Sequence, residues 1–277
     1  MKRLQPFNQQ KMKQPVKHSK KARKPKKELT IEQKITRRNF ISFTIFGALS
    51  VTAFGGWRWL YKSPIEPNGI TGNAHVPLRR ALNKTELAFR KFFSNNHLVK
   101  TYPKSMAAKN VRHNTDIGSD SHFALADWRL NVVKANGEKL AITIEQIMAL
   151  PKTDLVFDFK CVEGWDQIQH WGGLRFADFI NHFGLQDQAT LDYVGMETPD
   201  KAYYVGLDMQ SAMHPQTILA YELNEKPIPF NHGKPLRLII PVKYGIKNLK
   251  RIGTITFSNQ RPHDYWAEQG YDYYSGL

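Results

Sequence analysis

Three hydrophobic patterns follow one another along the chain. Up to Lys34 polar and basic residues dominate, with almost no large apolar side chain, and such a segment cannot bury enough surface to offset its chain entropy. From Ile41 to Trp57 the residues are uncharged and largely apolar. Beyond Ser63-Pro64-Ile65-Glu66-Pro67-Asn68-Gly69, a linker punctuated by Pro and Gly, apolar positions recur with helical or alternating period. Leu78, Ala81, Leu82, Ala88, Phe89 and Phe92 predict an amphipathic helix. Trp128 to Val133 alternates and leads into Asn136-Gly137, a hairpin signal. Thr143 and Gln146 form a capping box opening a short helix that stops before Pro151. Leu155 to Phe159 predicts a strand running into Cys161, and Leu174 to Ile180 a helix ending at Gly184. Further strands are predicted at 191–197, 203–207, 236–240 and 250–258. Strands with helices at irregular intervals imply an α+β domain rather than a regular βαβ sheet.

Composition narrows the class. In 277 residues, 41% are hydrophobic and 12% aromatic, enough to fill a core. The formal charge of +16 suggests a nucleic-acid binder until its distribution is read. Residues 1–38 hold 14 Lys and Arg against Glu28 and Glu32, a net of +12, whereas the rest carries 26 against 22. The basicity belongs to a tail. A nucleic-acid partner is disfavoured because no aromatic stacking platform is interleaved with that charge.

The expected organisation is a disordered basic tail over 1–38, an apolar signal or anchor over 39–61, and a catalytic domain over 62–277. Arg37-Arg38 before a moderate apolar run resembles a twin-arginine export signal, and an ordinary anchor oriented by its basic flank reads equally well. Both place the body outside the cytoplasm, in a periplasmic or comparable compartment. Phe54-Gly55-Gly56-Trp57, Trp59 and Tyr61 offer no small-x-small cleavage site, and such interfacial aromatics suit a retained membrane anchor.

Cys161 is the single cysteine, which excludes an intramolecular disulfide, a Cys-rich metal site and CxxCH haem attachment on this chain. Three readings stay open from position alone: a buried structural thiol, a nucleophile with His170, His214 or His232 as base, and a ligand to a soft metal.

The ordered motifs go further. Cys161-Val162-Glu163-Gly164-Trp165, Trp171-Gly172-Gly173, Ala212-Met213-His214-Pro215, His232 through Pro241 and Lys243-Tyr244-Gly245 through Lys250 together resemble the sulfite oxidase family of molybdopterin enzymes, nearest its exported methionine-sulfoxide-reductase branch. The resemblance covers roughly residues 105–275 and implies a sulfite-oxidase-type molybdopterin-binding catalytic domain, with mixed sheets and peripheral helices. It implies a Mo-molybdopterin cofactor with Cys161 as the metal ligand. His232, Arg237 and Lys250 match the family's cofactor-binding positions, with Asn248 and Leu249 as backbone contacts. Thr198 matches a further pterin contact, and Arg112 and Asn114 match the stretch beside the metal. Tyr271, in Trp266-x4-Tyr271, matches a tyrosine reaching the metal, although Tyr265, Tyr273 and Tyr274 crowd the same region. Arg237 offers a fixed fork of donors to a phosphate and Lys250 a point charge.

The implied activity is two-electron oxygen-atom transfer at molybdenum on a small-molecule or peptidyl substrate, with electrons exchanged through a separate protein such as a membrane haem subunit. Asp166 stands where sulfite oxidases carry an arginine. If it faces the open metal position it repels a dianion, which favours a sulfoxide or N-oxide over sulfite. A sulfite dehydrogenase of the same fold and a metal-free Cys–His hydrolase are the alternatives.

Overall fold

The computed structural model describes residues 29–114, 117–118 and 125–277. The chain divides into two units, Met1–Gly56 and Trp57–Leu277. The predicted basic tail lies outside the described residues up to position 28. Helix α1 spans Ile31–Lys62 and carries Arg37 and Arg38 within it. A capping box starts it early: Thr30 Oγ1 accepts from the Gln33 amide at 3.3 Å, and Gln33 Oε1 accepts from the Thr30 amide at 3.1 Å. At 1.5 Å per residue, α1 is about 48 Å long, more than a bilayer's hydrocarbon core requires. None of its residues is buried, and the hydroxyls of Thr44 and Thr52 bond back to Phe40 O and Ala48 O, each at 2.8 Å.

The second unit opens with helix α2, Val76–Phe92. Strand β1 (Leu130–Val133) turns at Asn136-Gly137 into β2 (Lys139–Ile142), as predicted. Helix α3 (Ile144–Met148) carries the expected capping box between Thr143 and Gln146. Then follow β3 (Thr153–Lys160), β4 (Asp166–Arg175), α4 (Phe176–His182), β5 (Tyr193–Glu197), β6 (Tyr204–Asp208) and α5 (Met209–Ala212). The chain closes through β7 (Ile218–Leu223), β8 (Lys226–Pro227), β9 (Arg237–Ile239), β10 (Thr254–Ser258) and α6 (Tyr265–Glu268).

Two five-stranded sheets result. One runs β2-β1-β10-β5-β6, and in the other β3-β4-β7-β8 is joined by β9 on β7. Among the described strands only β1 and β10 pair in parallel, so the architecture is the mixed α+β one expected. The main core combines Leu130, Val132 and Ile255 of the first sheet with Leu174, Leu219 and Leu238 of the second and Phe176 and Phe179 of α4. A second cluster places Leu155, Phe157 and Phe159 of β3 with Trp171. That cluster backs the functional cavity.

Three strands, β4, β7 and the two-residue β8, have no predicted counterpart. β4 is rich in Gln and Gly and shows no alternation, and β7 is a continuous buried run lacking a period of two. The chain slips register between Gly172 and Gly173, where a Cβ on Gly173 would collide with Leu219 O. Helix α2 has the expected span, yet its buried residues are Arg79 and Glu86. Its apolar stripe faces outward.

Candidate active site

The β3–β4 hairpin carries Cys161 at its tip. Lys160 pairs with Asp166, the Cys161 amide donates to Trp165 O at 2.9 Å, and the Gly164 amide donates to Cys161 O at 3.1 Å. Gly164 takes φ +83°, which a side chain would strain, so this position closes the turn. The five-residue loop thus fixes the thiol at the end of a rigid strand pair. Cys161 is buried. Burial chiefly pushes its thiol pKa up, with the Glu163 carboxylate adding to that, while neighbouring amides and Arg112 pull the other way.

A second segment comes to the thiol from far upstream. The Tyr102 amide donates to Val156 O at 3.0 Å, Ala108 to Ile168 O at 2.9 Å, and the Arg112 amide to Gln167 Oε1 at 3.0 Å. These bonds lay residues 101–112 along the hairpin and deliver Arg112 and Asn114 to its tip. Asn114 Nδ2 stands 4.0 Å from Cys161 Sγ and donates to Glu163 Oε1 at 3.3 Å. Trp165 Nε1 donates to Glu163 Oε2 at 3.1 Å, and the Arg112 guanidinium lies 4.6 Å from the Trp165 ring centroid. The donors from Trp165 and Asn114, with Arg112 nearby, hold the Glu163 carboxyl below its usual range.

The opposite wall is cationic. A cavity of about 300 Å³ is lined by Cys161, Arg112, Asn114, His232, Arg237 and Lys250, among others. Arg237 donates to His232 O at 3.0 Å and Asn248 O at 3.2 Å and packs 4.5 Å from the Trp171 ring centroid. Its Nε is buried with no hydrogen-bond partner. Burial lowers the Arg237 pKa to about 9. His232 is lowered to about 4 by burial first, then by Arg237, His113 and Lys250. Lys250 Nζ donates to Asn114 O at 2.5 Å, tying the two walls together. Asn248 also lines the cavity, its side chain braced by Ile240 N at 2.8 Å and Tyr244 O at 3.2 Å.

The other expected residues fall differently. Leu249 is fully buried and does not line the cavity; its carbonyl accepts from Leu238 N at 2.9 Å. Thr198 is also buried outside the lining, with its hydroxyl donating to Asp200 Oδ1 at 2.5 Å. Tyr271 lines the cavity and is 42% exposed, whereas Tyr273 and Tyr274 pack over Lys247 and Lys243. Of the three histidines considered as bases, only His232 lines the cavity: His170 meets Asp154 at 3.2 Å and His214 meets His97 O at 3.2 Å.

Asp166 is a correction. It does not line the cavity; its exposed carboxylate lies 3.6 Å from Lys160. Strand alternation explains this, because the neighbouring Gln167 side chain faces Asn110 and Arg112, and Asp166 must face the other side. Glu163 is the acid the sequence reading passed over. It is the one carboxylate among the described lining residues. Trp165, Trp171, Tyr203 and Trp266 also line the cavity.

One thiol facing an arginine with an unspent buried donor, a histidine held neutral and a lysine fits a soft metal carried by an anionic organic group. Thiolate suits the metal, and the cations suit a phosphate. The class of protein so defined is a redox-cofactor domain. The family model for the oxidoreductase molybdopterin binding domain matches residues 118–266, more than half of the chain, and the protein belongs to this family. It is a molybdenum-dependent oxidoreductase. The putative protein-methionine-sulfoxide reductase subunit YedZ1 of Azospira oryzae is 36% identical over 186 residues, 66% of this chain and 70% of that protein. The protein-methionine-sulfoxide reductase catalytic subunit MsrP of Campylobacter jejuni is 28% identical over 177 residues, 56% of this chain and 58% of that protein. The sulfane dehydrogenase SoxCD of Paracoccus pantotrophus superposes with a TM-score of 0.47 and 18% identity, covering 60% of this chain and 46% of that one.

Proposed function

We propose that the protein is the catalytic subunit of an exported sulfoxide reductase. The observation that carries this reading is the division of labour around the cavity: Arg237, His232 and Lys250 form a cation wall, and Cys161 faces it from the hairpin tip. With the cations engaged by a phosphate-bearing cofactor, the remaining charges at the cavity are Arg112 and Glu163, which balance. A neutral S-oxide meets no repulsion there, whereas a sulfite dianion meets the ionised Glu163. The names of the two relatives support a sulfoxide substrate.

Cys161 would hold the metal as a thiolate; the raised thiol pKa is no obstacle, because a coordinating metal deprotonates its thiol. When bound, the molybdenum–pyranopterin group supplies the two-electron couple for oxygen-atom transfer. Arg237 would grip the cofactor phosphate through its free Nε edge, and Lys250 would add a point charge. Asn114 and Trp165 lock Glu163 and so hold the loop shape around the thiol. Arg112, stacked on Trp165, would donate to the substrate oxygen, and Tyr271 would supply a hydrogen bond or proton there. Reducing a sulfoxide consumes two electrons and two protons and releases water. The electrons would come from a separate protein, a membrane haem subunit.

The test is metal analysis and turnover of protein matured in the cytoplasm. Near-stoichiometric molybdenum is expected, with methionine sulfoxide reduced by an artificial electron donor and little sulfite oxidation. Cys161→Ser should cost most of that activity, since serine is a harder donor. Sulfite turnover without sulfoxide reduction would reverse the assignment of direction. For export, Arg37→Lys with Arg38→Lys should strand folded protein in the cytoplasm if the twin-arginine route is used, and leave localisation unchanged for a plain anchor.

A further inference from the structure

Helix α2 is packed inside out. Its buried side is charged: Arg79 pairs with Glu66 at 2.8 Å and donates to Tyr271 O at 2.8 Å and Ala267 O at 2.9 Å. One turn pair further on, Glu86 is held by Arg261, which also donates to Asn83 at 3.1 Å, and Arg90 donates to the Tyr193 hydroxyl at 2.8 Å. The body thus takes up the side of α2 that carries Arg79, Asn83, Glu86 and Arg90.

The apolar face is left uncovered. Leu78, Phe89 and Phe92 are 43%, 57% and 76% exposed. With Phe93, Leu98 and Val242, two of them border an apolar trough of about 490 Å³. Arg80, Lys84 and Lys91 fall on one flank of the helix by its 3.6-residue period, all exposed and in no ion pair among the described residues. An apolar stripe with a cationic flank is the pattern of a helix lying in a membrane interface, its lysines and arginines reaching anionic headgroups.

Chain continuity selects the bilayer over other occupants. Helix α1 ends in Trp57, Trp59 and Tyr61, aromatics of the kind that settle at headgroup depth. The link from there to α2 is folded back tightly: the Val76 amide donates to Pro64 O at 2.9 Å, and the Glu66 amide to Ala74 O at 2.8 Å. Within the second unit, these bonds hold the segment between residues 57–62 and the start of α2. We propose that α2 lies in the surface of an anionic phospholipid bilayer and fixes how the catalytic body sits on the membrane. This rests on the anchor reading of α1.

The test uses the full, cofactor-loaded chain in vesicles of equal parts phosphatidylcholine and phosphatidylglycerol. Nitroxide labels are placed through Leu78→Cys, Thr85→Cys or Phe92→Cys, one line along the apolar face, with Lys139→Cys as the exposed control. The three helix labels should show a several-fold higher ratio of oxygen to nickel-chelate collisions than Lys139→Cys. Replacing Arg80, Lys84 and Lys91 by Gln, or using phosphatidylcholine alone, should lower that ratio. Water-like accessibility at all three positions overturns the proposal. So does dipolar broadening between labels, which would assign the face to a second copy of this chain, and so does indifference to both charge changes. Release of the chain by an alkaline wash would sink the anchor reading separately, because the collision ratios are recorded before it.

Discussion

Two groups of buried cations teach different lessons. Lys243 and Lys247 are nearly inaccessible, and each is locked to a carboxylate: Asp208 at 3.0 Å and Asp264 at 2.5 Å. Tyr274 and Tyr273 cover them with ring faces. Arg237 is as deeply buried but reaches only carbonyls and a ring, and one of its donors has no partner. A buried charge normally needs a counter-charge. The first group has its own and is scaffold. Arg237 lacks one, and under the proposed function the cofactor would supply the missing anion.

That contrast can be broken at three points. The largest effect should come from Asp264→Ala, which strands Lys247 and also removes the acceptor capping α6 at Ala267 N, 3.0 Å away. Breaking a buried pair from one side costs about 3–5 kcal/mol, so the urea midpoint should fall steeply. A loss under about 1 kcal/mol would end the scaffold reading.

Arg237→Met should behave oppositely. Removing an uncompensated charge offsets the two lost carbonyl bonds, so cofactor-free stability should change by less than about 1.5 kcal/mol. Molybdenum and pterin content should nevertheless drop at least about tenfold, the equivalent of roughly 1.4 kcal/mol in binding. Arg237→Lys should recover part of the content, since it restores the charge without the fork. Strong destabilisation with full cofactor content would place Arg237 with the scaffold.

The smallest effect is a pH dependence. His232 is held near 4 in the fold against 6.5 unperturbed. As pH falls below 6.5 the unfolded chain takes up the proton first, so cofactor-free stability should decline until about pH 4, where the folded form protonates too. The loss should be on the order of 1–3 kcal/mol. His232→Asn should flatten that slope specifically. An unchanged slope would mean that His232 is accessible to protons in the fold.

Much of the site was legible because it is carried by short contiguous motifs. The hairpin tip at Cys161, the Arg237-to-Lys250 run and the Arg112–Asn114 stretch each read as units, and their chemistry is local: thiolate for a soft metal, fixed donors for phosphate. The capping box at Thr143 and the turn at Asn136-Gly137 were equally direct, since both are satisfied within four residues.

What the linear order could not decide is which way a side chain points once strands pair. Asp166 and Gln167 are adjacent, and only strand pairing turns Gln167 toward Asn110 and Arg112 and leaves Asp166 beside Lys160. The apolar stripe of α2 is visible in sequence, but its outward orientation follows from Glu66, Arg261 and Tyr193, partners 13 to 175 residues away. Composition and motif fix what a residue can do. Long-range pairing, which no local pattern encodes, decides what it meets.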